Sequence, residues 1–169
     1  MVYFRHMPDI SFSKAQKIAI FALRMSLGWT FFYAGITKVI NPAWSAAGYL
    51  TNAKTFHDFY AMLTQPGILP IINFLNAWGL TLVGVALLLG IAVRFSSVIG
   101  ATLMLLYYLP ILKFPYPNAN SFLVDEHVIY AVGFFLLASF RAGRIWGLET
   151  MCANLPICKK YPQLRDMLG

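Results

Sequence analysis

Apolar residues fall into four long blocks along the 169-residue chain, separated by prolines, glycines and charges. Ser13-Lys-Ala-Gln16 has the S-x-x-Q spacing of a capping box, which predicts a helix carrying the first block, Ile18 to Ile40. Asn41-Pro42 ends it, because proline drives the preceding residue out of helical geometry. About 20 apolar residues match a ~30 Å hydrocarbon core, so this block is read as a transmembrane helix. Next, Tyr49 to Thr64 sets Leu50, Ala53, Phe56, Tyr60 and Leu63 at intervals of three and four. That spacing predicts an amphipathic interfacial helix with Lys54, His57 and Asp58 toward water.

Gln65-Pro-Gly stops that segment, and the second spanning helix is expected from Leu69 to Val93, closed by Arg94. A third fills the stretch between Arg94 and Lys113. Phe114-Pro-Tyr-Pro-Asn-Ala-Asn reads as a loop. Glu126 and Arg141 then bracket an apolar stretch too short to cross at 1.5 Å per residue. The fourth helix is therefore expected to begin near Ser121, capped by Asn120 or Ser121, with Asp125, Glu126 and His127 at the hydrocarbon edge. The fold class is all-α: a four-transmembrane-helix bundle, with an interfacial helix between helices one and two. Residues 1–17 form an N-terminal segment, 18–149 the membrane domain and 150–169 a basic tail.

Composition agrees with this division. The chain is 59% hydrophobic and 11% charged, against roughly 25% charge in soluble domains, which excludes a disordered or ordinary soluble protein. The net charge of +7 lies at the ends of apolar blocks rather than in one patch, so it reads as a topology signal and not as a nucleic-acid surface. Leaving out intramembrane Arg24, the N-terminus, Arg94 and the tail outweigh Lys38, Lys54 and Lys113. Both termini are thus expected inside a cytoplasmic (plasma) membrane under the positive-inside rule. Arg5, Lys14 and Lys17 precede the first block like a signal-peptide start, but the block is long and has no A-x-A-like cleavage site, so it is expected to stay as an anchor. Cys152 and Cys158 lack a C-x-x-C spacing or an adjacent histidine, and are expected to be reduced thiols without a metal.

Several helical faces carry candidate chemistry. Arg24, Gly28, Phe31, Gly35 and Lys38 share one face of helix one. Arg24 there either faces the bundle interior or snorkels to the interface. Asn76, Gly79, Val83, Ala86 and Gly90 form a matching seam on helix two. On helix four, Glu126, His127 and Tyr130 form either a proton relay or, with Asp125, a negatively charged helix start. Depth gathers Lys38, Asn76, Tyr107, Tyr108, Asp125, Glu126 and His127 in the outer half, with Lys38 expected to pair with Glu126 or Asp125. Trp29, Tyr33, Trp44 and Trp78 either wall this cluster or anchor the chain at the interfaces.

Arg24-Met-Ser-Leu-Gly28 continuing to Ala34-Gly35-Ile-Thr-Lys38 resembles the first helix of the DoxX/DoxD family. Gly84-Val-Ala-Leu-Leu-Leu-Gly90, Val124-Asp-Glu-His127-Val-Ile-Tyr130 and Ala142-Gly-Arg-Ile-Trp-Gly-Leu-Glu149 extend the resemblance. Many members carry a glutamate early in helix two, where this chain has Asn73 and Asn76. The resemblance implies a four-helix membrane subunit and, for the DoxD branch, part of a thiosulfate:quinone oxidoreductase working with a DoxA-like second subunit. It makes quinone the expected cofactor, with Glu126, His127 and Tyr130 as proton-handling residues. Arg24, Tyr33, Lys38, Asn76, Trp78, Tyr107 and Asp125 are the candidate binding residues, and Lys38, Lys54 and Lys113 would attract an anionic donor. No metal, haem or flavin is expected from three scattered histidines. The alternative is a non-catalytic scaffold that recruits a soluble redox enzyme through its tail, with a homo-oligomer open in either case.

Overall fold

The computed structural model describes residues 12–152. Within that range the chain forms α1 (Lys14–Val39), α2 (Ala47–Thr51), α3 (His57–Met62), α4 (Leu69–Leu89), α5 (Val93–Ile111), α6 (Glu126–Ser139) and α7 (Glu149–Cys152). Arg5, Cys158 and the basic run Lys159 to Arg165 lie outside the described residues, as do most of the expected N-terminal segment and tail.

The predicted capping box opens α1. Ser13 accepts from the Gln16 amide, while the Gln16 side chain accepts from the Ser13 amide at 2.8 Å. Helices α1, α4 and α5 are each long and apolar enough to cross a membrane. Trp29, Phe74, Leu82 and Val98 on these helices are all more than half exposed. A surface this apolar is suited to lipid rather than water. The chain is a membrane protein.

Helix four is shorter than the sequence suggested. It begins at Glu126, because buried Asp125 accepts from the amides of His127 and Val128 and so fixes the helix start. Ahead of it, Leu123 adopts a left-handed backbone and donates its N–H to the Pro115 carbonyl at 2.9 Å. Neither Asn120 nor Ser121 caps the helix. Its 14 residues extend about 21 Å, short of a ~30 Å core.

The expected interfacial helix is two helices, α2 and α3, broken before His57 by the left-handed Phe56. Bonding to the end of α5 explains the break. Pro110 has no N–H to give the Leu106 carbonyl, and the Tyr60 hydroxyl supplies the missing donor at 3.2 Å. The Lys54 N–H donates to the Pro110 carbonyl at 2.6 Å, and Thr55 Oγ1 donates to the Leu112 carbonyl at 2.5 Å. These carbonyls need partners where water is scarce, and a continuous helix over 49–64 would withdraw them.

Close packing joins α1 to α4 through glycine. A Cβ on Gly35 would lie 2.3 Å from the Thr81 nitrogen, and one on Gly84 2.2 Å from the Phe32 nitrogen. Only hydrogen fits at either position. Gly79, expected in the same seam, instead faces Leu103 of α5 with room for a methyl group. Below the crossing, Phe31 meets Phe134 edge-on at 4.8 Å, within a core of Leu27, Leu80, Val83, Leu87 and Leu137.

At the opposite end, Arg24 is 1% exposed and does not snorkel. Its guanidinium donates to the carbonyls of Ala142, Ile145 and Trp146 at 2.7, 2.9 and 3.3 Å, holding the turn after α6. The Leu148 and Glu149 amides donate in turn to Leu89 and Gly90, each at 3.0 Å. Gly90 closes α4 with φ of 66° and lies against Gly147, so this junction is built on two glycines and one buried arginine.

Candidate functional site

The end of α1, the start of α4, the end of α5 and the start of α6 meet around a cavity of about 260 Å³. Lys38, Trp44, Ser45, Ala46, Tyr49, Asn76, Tyr107 and His127 line it. The loop after α1 is fixed by Asn73, whose Oδ1 accepts from the Ala46 amide at 2.9 Å and whose Nδ2 donates to Ser45 Oγ at 3.3 Å. The Tyr49 hydroxyl donates to the Tyr107 carbonyl at 2.5 Å, drawing α2 against α5.

Asp125 has two tasks. One oxygen caps α6, and the other lies 2.7 Å from His127 Nδ1. With Nδ1 held this way, Nε2 is the nitrogen left for a ligand. The His127 ring meets Tyr107 edge-on at 6.1 Å, and the Tyr107 hydroxyl accepts from the Asn76 amide. Asn76 Oδ1 is buried and has no partner among the described residues. An acceptor left bare in this way is costly unless something donates to it.

Of the sequence candidates, Lys38, Asn76, Tyr107, His127 and Asp125 come together here. The expected pairing of Lys38 with Glu126 or Asp125 does not form. Lys38 Nζ donates to the Ala34 carbonyl at 2.7 Å and sits 5.4 Å above the Trp44 ring. Asp125 is already committed to His127 and to the cap, and Glu126 is exposed. Nor do Glu126, His127 and Tyr130 form a single cluster. Because α6 starts at Glu126, that side chain turns away from the cavity, and Tyr130 packs edge-on against Phe31 at 6.3 Å. Tyr33 and Trp78 face outward, and Trp29 stacks on Tyr33. Arg24 lies 14 residues before Lys38, about 21 Å away along α1.

Tyr49 and Ser45 were not expected in the site. For Tyr49 the proline inside α5 was an indirect signal, since it predicts a carbonyl in need of a donor and therefore a segment folded over the end of that helix, whereas Ser45, held by Asn73, had none.

The DoxX family model matches residues 19–111, more than half of the chain. The chain belongs to the DoxX family. The match ends with α5, so in this DoxX protein it takes in Lys38, Asn76 and Tyr107 but not the Asp125–His127 pair. No curated protein and no solved structure matches the chain.

Proposed function

We propose that this DoxX protein is the membrane subunit of a quinone-linked oxidoreductase, and that the cavity between Lys38 and His127 takes the quinone headgroup. In this reading α6 is a fourth, short span, both termini are cytoplasmic, and the chain resides in the plasma membrane. The observation that carries the proposal is the convergence of an imidazole oriented by a buried carboxylate with an unpartnered Asn76 oxygen in one cavity.

These residues suit a group that alternates between carbonyl and hydroxyl. Asn76 Oδ1 would accept from a hydroxyl, the Tyr107 hydroxyl would donate to a carbonyl, and Trp44 and Tyr49 would flank a ring. The cavity is smaller than the ~300 Å³ at which drug-sized pockets begin, and is suited to one ring with its tail left in lipid. A bound quinone supplies a sink for two electrons and two protons. His127 would hold or deliver a proton at Nε2, while Asp125 fixes the orientation of the ring through Nδ1. Thiosulfate is the proposed donor: two molecules lose one electron each and join through a new sulfur–sulfur bond, which balances the reduction.

The test is quinone reduction by thiosulfate or sulfite on protein in lipid nanodiscs, with His127→Gln and Asp125→Asn variants. General acid–base groups contribute about 100-fold or more, so both variants are expected to lose rate on that scale. Equal rates in all three proteins would remove His127 from the site. An inactive wild type that binds no quinone would favour the scaffold role.

A further inference from the structure

Lys54 and Lys113, far apart in sequence, border one groove of about 360 Å³ with Ile111, Tyr116, Pro117, Asn118 and Ala119. Neither ammonium has a carboxylate partner among the described residues. At this end of the bundle, Asp58 is beside His57, Asp125 is held by His127 and Glu126 is exposed, and none of the three lines the groove. Asn118 Oδ1 is occupied by the Asn120 amide at 2.9 Å, which leaves its NH2 group as a third donor. The lining is mostly apolar, and the two ammonium groups and the Asn118 amide bring donors to it with no acid among the lining residues.

Both lysines stand on fixed backbone. Lys54 is tied to the Pro110 carbonyl, and Lys113 exchanges backbone hydrogen bonds with Tyr116 at 3.1 and 2.7 Å. The Tyr116 ring in turn packs on Phe122 at 5.6 Å. Two exposed cations border one concavity, and each would attract an anion lying in it. Ile111 of the groove lies one turn beyond Tyr107 of the cavity, about 6 Å along α5.

We propose that this groove is an oxyanion site. Its ligand is a small tetrahedral oxyanion, either free in water, as sulfate and thiosulfate are, or the phosphate of a lipid headgroup. As a free-anion site it would place a donor one helical turn from the quinone cavity, but the proposal stands on its own geometry and its test reads binding rather than turnover.

The experiment titrates wild type and a Lys54→Gln/Lys113→Gln variant with sulfate and thiosulfate by calorimetry in neutral detergent, at fixed ionic strength set with chloride. Native mass spectrometry of the same proteins after incubation with phosphatidylglycerol gives the lipid arm. A charge at contact distance in water contributes about fivefold, so the double variant is expected to bind about 25-fold more weakly. Loss of free-anion binding identifies a water-borne ligand, and loss of lipid retention alone identifies a headgroup. Equal binding by wild type and variant, or no binding of either ligand by wild type, would overturn the proposal. Lys17→Gln should leave both arms unchanged, since Lys17 is near the start of α1, at the opposite end of the bundle from the groove.

Discussion

Replacing Gly84 with alanine tests the α1–α4 crossing on which the cavity depends. The added methyl group would sit 2.2 Å from the Phe32 nitrogen and 2.5 Å from its Cα, and backbone cannot swing aside as a side-chain tip can. To reach the 3.4 Å of ordinary contact, the helices must part by about 1.2 Å. A gap of this order forfeits about half of the local dispersion energy around Leu27, Phe31, Leu80 and Val83. Overpacking of this kind costs about 1 to 3 kcal/mol, and the upper end applies where both obstacles are backbone. Better helix propensity returns about 0.5 to 1 kcal/mol. At about 2 to 4 °C per kcal/mol, the expected fall in melting temperature is about 5 to 10 °C. The assay is a thermal melt in detergent followed by size-exclusion fluorescence, with Gly79→Ala as the control. There the new methyl group finds Leu103 at 3.7 Å, so that variant should melt at or above wild type. Equal melting of the two variants would refute the crossing geometry.

Other perturbations test separate joints. Arg24→Lys keeps the charge but loses the planar fork that serves three carbonyls, and is expected to cost about 3 kcal/mol or more and to open the 141–146 turn to trypsin; an unchanged digestion pattern would contradict this. Tyr60→Phe strips the hydroxyl that donates to the Leu106 carbonyl beside Pro110, for an expected loss of about 1 to 3 kcal/mol by thermal melt, whereas a neutral result would show that another donor replaces it. Burial pushes the Glu149 carboxyl above its ordinary 4.5, against the pull of Arg144. The folded chain then holds that proton more tightly than the unfolded chain does. Stability from this group is complete below about 4.5 and is lost as pH rises through the folded value. Glu149→Gln should flatten the melting temperature over that range, and an unaltered slope would count against the burial effect.

Most of the scaffold was legible because it rests on local rules. The capping box, Asn41-Pro42 and the apolar blocks locate α1, α4 and α5 within a few residues. The glycine stripe on α1 was visible for the same reason, since a helix places its residues at fixed angles. Its partner on α4 was visible only in part: Gly90 does lie against Arg24 of α1, but Thr81 and Gly84, rather than Gly79, form the close crossing with α1, and that depends on the crossing angle of two helices. The site divides along the same line. Depth along the helices correctly grouped Lys38, Asn76, Tyr107 and His127. Depth also placed Glu126 in that group, where the structure leaves it exposed at the start of α6, and the helical face that joined Tyr130 to Glu126 sets Tyr130 against Phe31 instead. The pairing of Lys54 with Lys113 was beyond reach from sequence, since it arises where the α2–α3 segment folds over the end of α5.

The central claim is that a quinone headgroup occupies the cavity between Lys38 and His127, and photoaffinity labelling addresses it most directly. Wild-type protein in lipid nanodiscs would be illuminated with an aryl-azide quinone and its labelled peptides mapped by mass spectrometry, with and without excess unlabelled quinone. The account predicts label on the Lys38–Tyr49 stretch and on peptides carrying Tyr107 or His127, removed by competition. Label confined to the outward-facing Trp29, Tyr33 and Trp78, or label that competition does not reduce, would contradict it.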